Sequence, residues 1–350
     1  MTLQRILLLS FVLALSVAGR PAMASDSVQV TANNYVRAET DFQFRGYIEK
    51  LDCFGKFFHS RKPYDVNNQV TIRANMDTLY SMGVFDLTSP VTVTLPDPNG
   101  RYQSLMIVNQ DHSLWANHGP ETFTLTEENV GTRYVFLGIR TFADPNDEND
   151  METAYKLQDA VRVEQAEIGK FDVPKWKKDE VEKMRETINV ISSTLPDTSK
   201  MHGKKEELDP VYWMLGAAFG WGGLPEAEAT YLNVVPPNND GKTPYTLTIN
   251  DVPVDAFWSV TLYDDKGWMP INDYNIYSFN NVTAKKDQDG SITIHFGGDS
   301  GQSNFLPIVP GWNYIVRLYR PRQEILDGSW TFPAAKPVNR GAGSGPFKTK

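Results

Sequence analysis

Trp258-Ser259-Val260-Thr261-Leu262-Tyr263 and Tyr314-Ile315-Val316-Arg317-Leu318-Tyr319 decide how this chain is read. In each, large apolar residues stand at every second position, the period of a strand with one face on a core. The same period recurs in Tyr245-Thr246-Leu247-Thr248-Ile249 and in Ile292-Thr293-Ile294-His295-Phe296. Asp264-Asp265-Lys266-Gly267 and Asp287-Gln288-Asp289-Gly290 lie between them with the acid-plus-glycine chemistry of tight turns. Residues 223–335 therefore read as an antiparallel β domain, and the glycine-rich stretch 336–350 as a flexible tail.

Toward the N-terminus the period changes. Val181, Met184, Ile188, Ile191 and Leu195 fall on one helical stripe, and Asp209-Pro210 is an N-cap acceptor followed by proline at the first helical position. Residues 146–222 read as a helical insert. Before it, Val91, Val93 and Leu95 alternate with threonines, and alternation returns over 102–108, 122–125 and 133–139. Val70 and Ile72 read as a further strand, and residues 32–60 hold a leading helix. The first β domain is placed at 25–145. The fold class is mainly β with a helical insert (α+β), two antiparallel β-sandwich or jelly-roll-like domains.

The start of the chain is a leader: Met1 to Arg5 is basic, Ile6 to Ala18 is apolar, and Ala22-Met23-Ala24 has the small-x-small form of a cleavage site. A signal peptide over 1–24, cut after Ala24, predicts an exported protein, periplasmic or extracellular, with no membrane attachment once cut. A length of 350 residues suits two domains, and 41% hydrophobic against 22% charged residues excludes disordered or fibrous classes. The formal charge of −9, with lysines interleaved among acids at 175–182, disfavours nucleic acid as a partner. Cys53, the single cysteine, excludes an intrachain disulfide and reads as an apolar filler.

Three clusters carry candidate chemistry. Arg73, Asn75 and Asp77, with Tyr80, would present a guanidinium, an amide and a carboxylate on one face if extended, a set suited to holding a polar ligand. The alternative is a buried salt-bridged corner. Tyr263, Arg317 and Tyr319 share the outer face of the strands quoted first and, with Tyr274 and Tyr277, form an aromatic platform. The alternative there is a face covered by the insert or the first domain. Asp111, His112 and His118 are the histidine–carboxylate grouping, able in principle to hold a metal or move protons. Their spacing matches no metal-binding helix, and neither a metal nor a cofactor is assigned.

Ile72-Arg73-Ala74-Asn75-Met76-Asp77-Thr78-Leu79-Tyr80-Ser81, with Asp86-Leu87 and Gly100-Arg101-Tyr102, resembles the first of two domains of unknown function, numbered 1254 and 1214, that travel together. Asp255 to Asp264, Asp289-Gly290-Ser291, Phe305-Leu306-Pro307, Arg317-Leu318-Tyr319 and Asp327-Gly328 are similar to the second. The resemblance implies an exported protein of two jelly-roll-like β domains and transfers no catalytic set. Phe305 stands where that family tends to have tryptophan, and Asn275 where arginine is common.

The function expected is binding of a small polar or carbohydrate-like ligand in an inter-domain cleft lined by Arg73, Asn75, Asp77, Tyr80, Tyr263, Arg317 and Tyr319. Two other readings stand beside it. One is a hydrolase with His112 as general base, oriented by Asp111 or Asp77. The other is a structural assembly module, with a homo-oligomer as its consequence.

Overall fold

Asp52 stops the first helix: in the left-handed region at φ 50, its N–H returns to Ile48 O. The computed structural model describes residues 27–69, 72–192, 194–195 and 200–338. That helix, α1 (Tyr35–Leu51), is followed by β1 (Phe58–His59), β2 (Thr78–Asp86), β3 (Val91–Leu95), β4 (Gln103–Asn109), β5 (Leu114–Asn117), β6 (Glu121–Leu125), α2 (Glu127–Val130) and β7 (Tyr134–Phe142). The middle of the chain forms α3 (Glu148–Ala160), β8 (Arg162–Gln165), α4 (Lys178–Ser192) and α5 (Pro210–Phe219). Then come β9 (Ala229–Val234), β10 (Tyr245–Ile249), β11 (Trp258–Tyr263), β12 (Ser278–Asn280), β13 (Ile292–Phe296), β14 (Phe305–Leu306), β15 (Asn313–Tyr319), α6 (Gln323–Leu326) and β16 (Lys336–Pro337).

Among the described residues the fold is α+β with four sheets, ordered β1-β2-β7-β4-β5, β6-β3-β8, β12-β11-β15-β9 and β14-β13-β10-β16. Their pairings are antiparallel except β13 with β14. The first two sheets share a core that includes Phe85, Val91, Val93, Leu105 and Leu137. The last two share Leu247, Val260, Ile294, Phe296, Trp312 and Val316. Alternation in β11 and β15 thus does what its period predicts: Trp258, Val260, Tyr314 and Val316 face that core, leaving Ser259, Thr261, Arg317 and Tyr319 on the reverse face. A third cluster, with Phe44, Met106, Phe136, Phe257 and Tyr319, joins the two halves. α1, α4 and α5 pack through Tyr35, Val36, Val181, Ile188, Leu215 and Ala217.

Several expectations are corrected here. Ile72 and Arg73 lie in a turn, not a strand, and β2 starts only at Thr78; Val70 is outside the described residues. The turn is held because Arg73, at φ 53, donates its N–H to Gly267 O of the other half. The insert is not wholly helical, since Arg162–Gln165 completes the ladder on the open side of β3. Lys336 and Pro337 pair with β10, so the tail begins with a strand. The leader and its cleavage point lie outside the described residues. Among those described, no helix is long and apolar enough to cross a membrane.

Asp209 caps α5 as its sequence indicates, accepting from Val211 N and Tyr212 N. Within that helix Gly216 abuts the chain: a Cβ there would stand 2.2 Å from Met201 O. Glycine to alanine in a helix ordinarily stabilises by about 1 kcal/mol. Here the clash reverses the sign, and Gly216→Ala is expected to destabilise by roughly 1–3 kcal/mol in urea unfolding. A variant more stable than the parent would show that the helix and the 201 segment part freely.

Candidate functional site

The reverse face of β11 and β15 is covered by the turn 72–77, the covered-face alternative for Tyr263 and Arg317. Arg317 is 3% exposed and donates to Thr261 Oγ1 at 3.0 Å, Tyr263 Oη at 2.8 Å, and the carbonyls of Arg73 and Ala74 at 2.9 and 3.2 Å. Tyr263 Oη donates to Ala74 O at 2.6 Å. Half-buried Arg73 reaches Asn313 Oδ1 at 3.1 Å. Asp77 is buried, with Oδ1 accepting from Asn280 Nδ2 at 3.3 Å and the Ser259 side chain beside the carboxylate. Burial pushes its carboxyl up, opposed chiefly by the charge of Arg317. These residues are a fastening between the two halves. Tyr277 is buried among them, while Tyr274 is exposed and packs on Phe305.

Asn75 connects the fastening to a second group. Its Oδ1 accepts from Asp77 N, and its Nδ2 donates to Tyr319 Oη at 2.8 Å and to Tyr80 Oη at 3.3 Å. Tyr80 stands opposite Arg140 across β2 and β7, with the guanidinium carbon 5.6 Å from its ring centre. Tyr231 stands opposite Arg317 across β9 and β15. The rings of Tyr102 and Tyr319 lie between the sheets, 5.2 Å apart. The seam therefore carries one arginine–tyrosine cross-strand pair on each side.

Arg140 is the residue that strand alternation alone left unnoticed. It is 8% exposed, and its contacts are Gly222 O at 3.3 Å and Met106 Sδ at 3.7 Å. Among the described residues no carboxylate pairs with it. Burying a guanidinium costs several kcal/mol, of which an aromatic face returns about 0.5–2. Burial works against its charge, but the phenol oxygens of Tyr80, Tyr231, Tyr102 and Tyr319 outweigh that and hold it protonated. Burial raises the Tyr80 phenol, yet Arg140 with the Thr78 and Asn75 side chains brings it below the ordinary tyrosine value. Burial sets the Tyr102, Tyr231 and Tyr319 phenols above that value. A signal for Arg140 was present: in β7, Tyr134, Phe136 and Phe142 make its face apolar, and an arginine amid such a face is a buried cation.

The histidine grouping does not assemble. His112 sits in the β4–β5 turn at φ 55, 1% exposed, its Nε2 accepting from Gly222 N at 3.0 Å. Burial and neighbouring His202 push it well below its ordinary value. Asp111 turns away to Arg37, with Oδ1 to Nη2 at 2.6 Å. His118 is at the far end of the four-residue β5, roughly 13 Å along the hairpin, bridging Gln103 O and Glu228 Oε2. A base with its lone pair engaged and no path to solvent cannot activate a nucleophile, and the spread excludes a common metal among the three. Among the described residues no three His, Cys, Asp or Glu side chains gather as a metal group. Cys53 is buried with its thiol pushed up to about 11 by burial, as a filler should be.

Beside the seam runs a groove of about 420 Å³ between the 200–202 segment, β9 and the turn after α6. Its walls include Tyr231, Leu232, Leu318, Trp330 and Phe332, with Lys200, His202 and Glu226 in its lining. Tyr231 belongs both to this wall and to the phenols around Arg140, and the charge of Arg140 also acts on His202.

The fold as a whole is similar to that of the VPA0106 protein from Vibrio parahaemolyticus: TM-score 0.64, 20% identity, covering 87% of this chain and 98% of that one. A putative uncharacterized protein from Burkholderia cenocepacia matches more loosely, with TM-score 0.47, 15% identity, and 87% and 88% covered. No curated protein matches the chain. Residues 54–124, which carry the turn 72–77 and Tyr80, match the protein of unknown function family DUF1254, and residues 237–323, which carry Tyr263, Arg317 and Tyr319, match DUF1214. The chain thus carries a DUF1254 segment and a DUF1214 segment, in that order, fastened to each other across the seam.

Proposed function

We propose that this is an exported binding protein whose two sheet pairs, read as jelly-roll-like sandwiches, hold a small polar ligand where the seam opens into the groove along β9. Its volume lies within the range of small-molecule sites, and aromatic walls with a few polar ends are the usual lining. The single observation that carries the reading is Tyr231, shared between the groove wall and the polar cluster of the seam. Of the residues expected to line a cleft, Tyr80 and Tyr319 stay in this site. Arg73, Asn75, Asp77, Tyr263 and Arg317 act behind it as the fastening. The periplasmic or extracellular location rests on the leader, and the acidic surface argues for a small ligand over nucleic acid.

The test is titration of the mature chain with benzyl alcohol, a neutral aromatic probe, followed by thermal shift and by tryptophan fluorescence. Binding that weakens about tenfold in Trp330→Ala and is unchanged in Arg73→Ala supports the groove. Binding unaffected by Trp330→Ala would place the ligand elsewhere.

A further inference from the structure

We propose that Arg140 and the phenols of Tyr80, Tyr102, Tyr231 and Tyr319 form a receptor for the carboxylate of a small organic anion. The inference deepens the groove reading by naming the chemical class of the ligand, and it rests on that reading for the route of entry.

A guanidinium has five N–H groups and no acceptor. In Arg140 two are directed at protein, one to Gly222 O at the long distance of 3.3 Å and one to a thioether sulfur. The amide of Asn75 donates to Tyr80 Oη and Tyr319 Oη. Both oxygens are thus engaged as acceptors of the Asn75 amide, and the Tyr80 hydroxyl also meets the Thr78 side chain. Tyr102 Oη shares its proton with Ser104 Oγ at 3.0 Å. A buried cation that no carboxylate pairs among the described residues, set among hydroxyl groups, is complementary to an anion with two acceptor oxygens.

A carboxylate fits better than a phosphate dianion. One planar fork can take both oxygens of a carboxylate in parallel, and the charge is matched one for one. The charge of Arg317 also reaches Tyr80, Tyr231 and Tyr319, but its donors are directed to Thr261, Tyr263 and the 73–74 carbonyls, and His202 is held neutral at ordinary pH, so Arg140 is the cation with donors to spare. Tyr231 and His202 lie where the groove meets this cluster, so an acid with an apolar body has space for the body against Trp330 and Phe332.

The experiment uses the mature chain and three probes at constant ionic strength: acetate, benzoate and benzyl alcohol. Expected is a saturable rise in Tm with acetate and a benzoate affinity at least tenfold above that of benzyl alcohol. Arg140→Met should abolish both the acetate response and the benzoate preference, leaving benzyl alcohol binding unchanged. Arg140→Lys, which keeps the charge without the fork, guards against a folding defect in the methionine variant and should lower benzoate affinity several-fold. Tyr231→Phe should do the same. An acetate response equal in the parent and both Arg140 variants, or benzoate and benzyl alcohol binding alike, overturns the carboxylate receptor. Benzyl alcohol binding insensitive to Trp330→Ala overturns the groove instead, and the acetate arm is read without it.

Discussion

Arg317→Ala is expected to cost the fold roughly 3–5 kcal/mol in urea unfolding, the effect of removing one member of a buried charge network. The side chain is enclosed by Thr261, Tyr263 and two carbonyls of the 73–74 turn. Truncation takes this donor from the Arg73 carbonyl, opens a void against Thr261 and Tyr263, and leaves Asp77 without the cation that opposes its desolvation. Asp77→Asn should recover part of the loss when added to Arg317→Ala, because the carboxylate that became uncompensated is then neutral. In the parent background Asp77→Asn should cost less than Arg317→Ala, since the amide keeps an acceptor for Asn280 and can still meet the Ser259 side chain. A fully additive pair of substitutions would show that the two groups do not sense each other.

Acid is expected to weaken the protein between about pH 6.5 and pH 4, with His202 as a principal cause. Burial pushes the His202 imidazole down to about 4, and its Nε2 is committed to Gly220 O at 2.8 Å. The unfolded chain takes up that proton near the ordinary histidine value, so over this window it binds more protons than the native state. Stability is therefore present above pH 6.5 and lost as pH falls toward 4. The loss amounts to about 3 kcal/mol from a shift of this size at 1.36 kcal/mol per unit. His112, lowered for the same reason, adds to it in the same direction. Asp41 and Asp77 act oppositely, because burial raises their carboxyls and the native state takes up their protons first. They flatten the curve at its acid end. Urea midpoints measured from about pH 7 to about pH 4.5 should slope downward in the parent and less steeply in His202→Gln. Equal slopes would mean that His202 is not held neutral by the fold.

Much of the scaffold was legible because its causes are local. The alternation in Trp258–Tyr263 and Tyr314–Tyr319, the Asp-Gly turns at Gly267 and Gly290, and the Asp209-Pro210 cap each follow from the preferences of a few adjacent residues. The structure brings Arg73, Asn75, Asp77, Tyr80, Tyr263, Arg317 and Tyr319 into one neighbourhood, as a fastening more than an open cleft. The misses are of another kind. Arg162–Gln165 is exposed at alternate positions and short, so nothing local marks it as the edge strand of β3. The turn 72–77 resembles a strand until the carbonyl of Gly267, far along the chain, takes the Arg73 N–H.

Residue order by itself determined the strand periods, the turns, the helix cap and the acidic, cysteine-poor character of the chain, since each is written in spans of a few residues. Tertiary structure alone decided that Asn75 would reach Tyr319, that His112 would be walled in against Gly222, and that Arg140 would be enclosed by tyrosines from both halves. The reason is physical. A strand's period tells which side chains share a face, but whether that face meets water, a sheet or another arginine depends on which distant segment packs over it.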